Sequence, residues 1–266
     1  MGTFVLDQDL HHHSKLSACS RDELQTPAAI LKTAKRLGLT SLCLTDHYWD
    51  RAVEGASDWY APQDFEHISA SKPLVSADGI RYLFGCETDL DQHMRLGLPP
   101  SRYGEFDFIV IPTTHLHMTG FTISQEDAKS LAARARLWVE RFDAVLSMDL
   151  PFHKVGIAHL ACGLLAGSSR ADYLTALNMI PTSEMERLFA KAASLGVGIE
   201  LNQFDVNFAD DEADTVLRMF RIAKEKGCRF YTASDAHHPE HYASYCETMN
   251  RVIRLLELDE SDKFCI

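Results

Sequence analysis

No CxxC pair occurs among the seven cysteines, which stand at positions 19, 43, 86, 162, 228, 246 and 265. Their scatter and odd number argue against a disulfide framework and fit a reduced, cytoplasmic protein. No apolar run is long enough to cross a bilayer. The first residues lack a basic segment followed by an apolar one, so no signal peptide is expected. Basic runs and basic–aromatic interleaving are also missing. With a formal net charge of -12, the chain is expected to repel long nucleic acid unless bound metal or a local patch offsets the charge. No linker or low-complexity tract breaks the 266 residues. Their 46% hydrophobic and 24% charged composition excludes disorder and fibrous repeats. One α/β barrel domain over 1–266 suits that length.

What is present is an alternation of strands and helices. Apolar strands are read at 3–13, 39–47, 81–90, 106–115, 154–160, 196–202 and 228–237. Between them lies a helix opened by Thr26 and Pro27 and stopped by Gly38, with Ile30, Leu31, Ala34 and Leu37 as its apolar stripe. Further helices are expected at 62–71, 124–147, 183–195, 211–226 and 241–257. Ser124 and Asp127 are expected to cap the second of these, and Ser183 with Glu186 to form a capping box on the next. The pattern predicts a parallel, distorted seven-stranded (β/α)7 TIM-like barrel. The segments 89–106 and 120–150 are expected to line its pocket.

Thirteen histidines are the unusual count, and they gather where strands end. Active sites of α/β folds lie at the carboxyl ends of the strands. Those ends carry His11 and His13, His47, Glu87, His115, His159, and Asp235 with His237; the sixth strand offers Asn202. Side chains two apart on a strand share a face. In "DLHHHS", His11 and His13 therefore face one way, with Asp9, and His12 faces the other. One strand-end histidine is more often a packed residue than a ligand; the whole set carries the inference. Imidazoles with carboxylates suit Zn²⁺, Mn²⁺ or Fe²⁺. There are more ligands than one tetrahedral ion needs, so two or three divalent ions are expected, with Glu87 able to bridge. A hydroxide between two such ions would be nucleophilic at neutral pH.

The motifs "DLHHHS" (9–14), "LTDH" (44–47), "GCE" (85–87), "TTHL" (113–116), "IAHL" (157–160) and "SDAH" (234–237) resemble those of the PHP (polymerase and histidinol phosphatase) family of metal-dependent phosphoesterases. The resemblance runs through nearly the whole chain. It implies a distorted seven-stranded barrel holding two or three metals. By likeness, one ion would take His11, His13, Glu87 and Asp235. A second would share Glu87 and take His115 and His159, and a third would take His47 and His237. Asp46 would orient the mouth without binding metal. Many members carry an Asp or His seven or eight residues after the first histidine; here Ala18 and Cys19 stand there. Cys19 as a thiolate, or Asp22 folding back, are the candidates to complete the third site. Without them, His47 and His237 would act as substrate-binding or acid groups.

The expected chemistry is hydrolysis of a small phosphate monoester. Arg95, Arg102 and Arg170 follow barrel strands and are candidates for phosphate contacts, and His117 shares the strand parity of His115. Three alternatives remain open: a phosphodiesterase or exonuclease on nucleotides, a hydrolase of an amide or ester carbonyl, and a metal-binding protein without turnover. A pocket without an arginine favours the carbonyl reading.

Overall fold

In the computed structural model, residues 2–167 and 169–266 are described. Nine strand segments stand where seven strands are expected, because two strands are each interrupted. The segment β2 (Ser41–Leu44) resumes as β3 (His47–Tyr48), and β4 (Arg81–Phe84) as β5 (Cys86–Thr88). With β1 (Gln8–His12), the segments β2 and β4 form a three-stranded sheet in the order β1-β2-β4. The remaining segments are β6 (Ile109–Pro112), β7 (Val155–Ala158), β8 (Gly198–Asn202) and β9 (Arg229–Ala233). They form a six-stranded sheet in the order β3-β5-β6-β7-β8-β9. All neighbouring strands run parallel.

The two sheets are bonded to each other. Gly85 marks one interruption, and a Cβ there would lie 2.5 Å from the carbonyl oxygen of Phe108. Only glycine lets the chain step across while Asp107 N–H donates to Phe84 O and Cys86 N–H to Phe108 O (2.8 and 3.2 Å). At the other margin, Asp235 N–H donates to His11 O (2.8 Å) and His13 N–H to Ala236 O (3.0 Å). The result is a parallel α/β fold of barrel-like form.

Strands buried on both faces divide their side chains between two cores. On β6, Ile109 and Ile111 join the large core beneath the helices. Phe108 and Val110 join a smaller inner cluster with Leu10, Tyr231 and Phe264. Tyr231 and Phe108 meet edge to face at 5.1 Å. They close over Gly156, where any Cβ would lie 2.6 Å from both rings.

The helix α1 (Pro27–Leu37) has its expected form: the Thr26 side chain accepts from Ala29 N–H, and Gly38 ends it in the left-handed region. A short helix α2 (Phe65–Ile68) and a 3-10 turn fill the expected 62–71 segment. The helix expected over 124–147 begins later, as α3 (Leu131–Leu146) capped by Ser130. Ser124 and Asp127 bond each other ahead of it instead, closing a separate 3-10 turn. A helix absent from the sequence reading, α4 (Arg170–Met179), follows, because it buries only Tyr173, Ala176 and Leu177 and its apolar pattern is weak. In α5 (Thr182–Leu195) the expected capping box does not form: Pro181 takes the N-cap place, and a proline ring has no acceptor. The last helices are α6 (Ala213–Glu225) and α7 (Tyr245–Leu255). No helix among the described residues is long and apolar enough to cross a membrane.

Candidate metal centre

The strand ends bring the expected residues together. Glu87, fully buried on β5, is the centre. Its Oε2 lies 2.9 Å from His47 Nδ1, 3.4 Å from His13 Nε2 and 3.5 Å from His11 Nε2. Its Oε1 lies 3.5 Å from His159 Nε2 and 3.9 Å from His115 Nε2. Asp235 closes the other side, 3.2 Å from His13 Nε2 and 3.6 Å from His159 Nε2. Four compact donor groups result among the described residues: His11, His13 and Asp235; His11, Glu87 and His159; His13, His47 and His237; and His159 with Cys162 and Asp205.

These side chains fit cations. Neither Glu87 oxygen, nor His47 Nδ1, makes a well-aligned hydrogen bond among the described residues, although all three atoms are buried and Oε2 lies 2.9 Å from Nδ1. An ionised carboxylate buried without hydrogen bonds is costly, and metal ions among the five surrounding imidazoles would satisfy it. In the bare protein the imidazoles carry part of that load. Burial opposes the charge of Glu87, but His47 and His11 hold its pKa well below the usual carboxylate range. Burial likewise opposes protonation of His11, yet Glu200, Glu87 and Asp235 raise it to about 10. For His13, burial dominates, with His237 and His47 adding to it, and its pKa falls well below 6.5.

Five of these imidazoles are aimed by their second nitrogen. His11 Nδ1 lies 2.6 Å from Glu200 Oε1, and His13 Nδ1 lies 2.9 Å from Ser17 Oγ. His115 Nδ1 lies 2.9 Å from Asp89, and His159 Nδ1 lies 3.3 Å from Asp205. His237 Nδ1 bonds the Asp235 carbonyl at 2.9 Å. Such contacts fix tautomer and orientation, and with them ligand strength. In turn, Asp89 accepts from Arg141 and Tyr60. Asp46 accepts from Ser14 N–H, Ser14 Oγ and Ser17 Oγ, so it holds His13 through Ser17. Both His159 and Asp235 stand at positive φ (57° and 49°), a conformation that costs on the order of 1–3 kcal/mol per residue. The bonds from His159 N–H to Glu200 and from Asp235 N–H to His11 O hold them there.

Sequence reasoning missed Glu200, Asp89 and Asp205. The first two carry a legible signal: Glu200 is a lone acid inside the apolar run "GVGIELN", and Asp89 stands two residues after Glu87. Asp205 lies in a loop and carries none.

A cavity of about 300 Å³ opens over the centre, lined by Glu87, His47, His115, His159, Asp235 and His237. Cys19 faces it. Burial would raise its thiol, but His47 and His237 bring it down to about 6. His117 sits on the rim, and burial with neighbouring His115 lowers its pKa to about 4.

Several candidates lie elsewhere. Asp22 pairs with His238 at 3.1 Å and does not reach the cluster, because its turn is held by Leu24 N–H. Asn202 bonds Glu200 and the Phe204 N–H and does not line the cavity. Arg95 donates to Glu54 O, Arg102 to Asp50, and Arg170 to Glu212. Each is captured by acceptors of its own loop or a neighbouring one, and none lines the cavity. Asp9 does not share the face of His11 and His13. The register of β1 shifts between Asp9 and His12, so Asp9 bonds His12, Ser234 and Tyr242.

The described lining comes from residues 19, 59–60, 117–118, 162, 164 and 204–205 besides the strand ends, with none from 89–106 or 120–150. Those two segments act from behind: Arg141 of α3 donates to Asp89, Leu90 O and Thr113 O. Arg134 of α3 borders a separate groove that meets the cavity at His117.

Residues 9–203 match the PHP domain family. Among solved structures, the chain is similar to histidinol phosphate phosphatase from Lactococcus lactis subsp. lactis Il1403, crystallised with zinc, L-histidinol and phosphate. The TM-score is 0.58 at 17% identity, with 98% of this chain and 99% of that chain covered; at that identity the likeness is one of fold. A search of curated proteins by sequence finds no match.

Proposed function

The chain belongs to the PHP domain family, and on that premise we propose that it is a metal-dependent phosphoesterase releasing phosphate from small phosphate monoesters. The observation that carries this reading is the buried Glu87 carboxylate facing five imidazoles without a well-aligned hydrogen bond. The reading takes the chain as one cytoplasmic domain, built as a closed seven-stranded barrel. The backbone bonds between β1 and the residues after β9 support closure. The seven free cysteines support a reducing compartment.

His11, His13, Glu87 and Asp235 would hold one ion, and Glu87, His115 and His159 a second. His47 and His237 would hold a third, beside Cys19. Zinc, manganese and iron all suit this mixed nitrogen and oxygen set. When bound, the ions supply positive charge to the phosphoryl oxygens and make water acidic enough to attack at neutral pH. Asp205, Asp89 and Glu200 keep the imidazoles aimed, so little reorganisation is needed as the reaction proceeds. Where only two ions are bound, His237 serves the leaving oxygen. In the metal-free protein burial works to discharge it while Cys19 and Asp235 raise its pKa, and an imidazole at this place would supply the proton.

The test is metal analysis of the purified protein, followed by phosphate release from small monoesters with Mn²⁺, Zn²⁺ or Fe²⁺ added. Activity is expected to fall with the metal content in Glu87→Ala and His13→Ala. Metal-supplied charge stabilisation of several kcal/mol corresponds to a loss of roughly 10²-fold or more. One observation favours a second reading, hydrolysis of an ester or amide carbonyl: no arginine or lysine lines the cavity among the described residues. Metal-loaded protein that is inert on every phosphoester and cleaves a carboxyl ester would select it.

A further inference from the structure

Much of the cavity wall beside the metal cluster is apolar. Trp59, Met118, Leu164 and Phe204 form that part. Phe204 is 46% exposed, one of few large apolar side chains so placed. Trp59 and Met118 rest on a hydrophobic cluster of Trp49, Tyr60 and Phe121, separate from the main cores. Trp59 also meets His47 edge to face at 4.9 Å. Arg134 Nη1 ties the neighbouring loops together by donating to Leu116 O and Leu165 O (2.7 and 2.9 Å). The wall is therefore built in advance and keeps its apolar face open beside the reacting centre.

The same wall shows no described side chain free to pair with a charged leaving group, since the low-pKa thiol of Cys19 is engaged by His47 and His237. Arginine and lysine are absent from the described lining. Of the lining carboxylates, Glu87 and Asp235 belong to the cluster, and Asp205 is taken by His159. An ammonium group on the substrate would find no free carboxylate there, and a second anion would find no cation beyond the ions themselves.

We infer that the preferred substrate is a phosphate monoester of an uncharged, apolar alcohol carrying an aromatic ring, which packs against Trp59 and Phe204 while the phosphoryl group meets the metals. This rests on the phosphatase reading and narrows its substrate class. It sets the chain apart from an enzyme built for an amino-alcohol phosphate.

The test compares kcat/KM of the metal-loaded protein for 2-phenylethyl phosphate, glycerol 1-phosphate and L-histidinol phosphate, all esters of primary alcohols. The phenyl ester is expected to lead by about 10-fold or more, the scale on which apolar pockets discriminate. Phe204→Ala is expected to bring that ratio toward 1; Phe204 is exposed, so its loss leaves the core intact. Leu164→Ala repeats the test from the loop after β7. Calorimetric titration with 3-phenylpropylphosphonate and with propylphosphonate gives a readout free of turnover, and the phenyl compound is expected to bind about 10-fold tighter. Equal kcat/KM for the three esters, or a lead for L-histidinol phosphate, overturns the inference and leaves the phosphatase reading standing. If no ester releases phosphate, the phosphatase reading falls, and the titration alone decides the apolar wall: equal binding of the two phosphonates overturns it.

Discussion

Oε1 of Glu200 lies 2.6 Å from Nδ1 of His11, across 189 residues of sequence. The contact decides which nitrogen of His11 faces Glu87 and Asp235. Glu200 also accepts the backbone N–H of His159 through Oε2, so one carboxylate aligns two histidines of the same donor group.

Replacing Glu200 with Gln is therefore expected to lower metal affinity by roughly 10–100-fold, the usual cost of losing a partner behind a ligating imidazole. Metal titration followed by elemental analysis measures it. An unchanged affinity would mean that the orientation of His11 is set by packing alone.

Metal uptake is expected to release protons at pH 7. With its pKa near 10 in the bare protein, His11 is charged at that pH and must give up a proton to ligate. Calorimetry in buffers of different ionisation enthalpy counts the protons, and affinity rises with pH. The same elevated pKa has a sign for stability. The charged His11 stabilises the metal-free fold fully below pH 6.5, and that contribution disappears as pH climbs toward 10. Over that window the stability lead of the metal-free wild type over Glu200→Gln should shrink, as read from melting temperatures.

Arg141 is fully buried and donates to Asp89 and to four backbone carbonyls. Arg141→Met leaves the Asp89 charge buried without its cation. A loss of about 3–5 kcal/mol of folding stability is expected, measurable by urea denaturation. A change below 1 kcal/mol would show that Tyr60 and His115 suffice for Asp89.

Cys19 reports on the third ion. Its thiol, near 6 in the bare protein, should alkylate with a rate that rises through about pH 6, well below an ordinary thiol. Mass spectrometry after timed iodoacetamide exposure gives the profile. Metal loading should suppress the reaction if the thiolate ligates, and a sulfur-to-metal absorption band should appear on cobalt substitution. Equal alkylation with and without metal would leave the third ion to His47 and His237.

Much of the centre was legible because strand chemistry is local. An apolar run that ends in His, Glu or Asp puts that residue at one end of a parallel sheet whatever the strand order, so His47, Glu87, His115, His159 and Asp235 could each be placed there from its own strand, and the set together marked them as ligands. The spacing of His11 and His13 similarly placed both inward and His12 aside, where it bonds Asp9 and Tyr82. The failures have local causes as well. A register shift in β1 turned Asp9 away, and Pro181 took the position where a Ser183 cap was expected.

Residue identity and period-two alternation thus settled which side chains reach the cavity floor, since both are properties of a few consecutive residues. Tertiary structure alone chose their partners: Glu200 for His11, Asp205 for His159, Arg141 for Asp89, and Glu212 in place of substrate for Arg170. Those pairings depend on which strands lie side by side and how loops return over them, and no short stretch of chain encodes that. The apolar wall of Trp59, Met118, Leu164 and Phe204 has the same origin, for its members meet only when four separate loops converge over the strand ends.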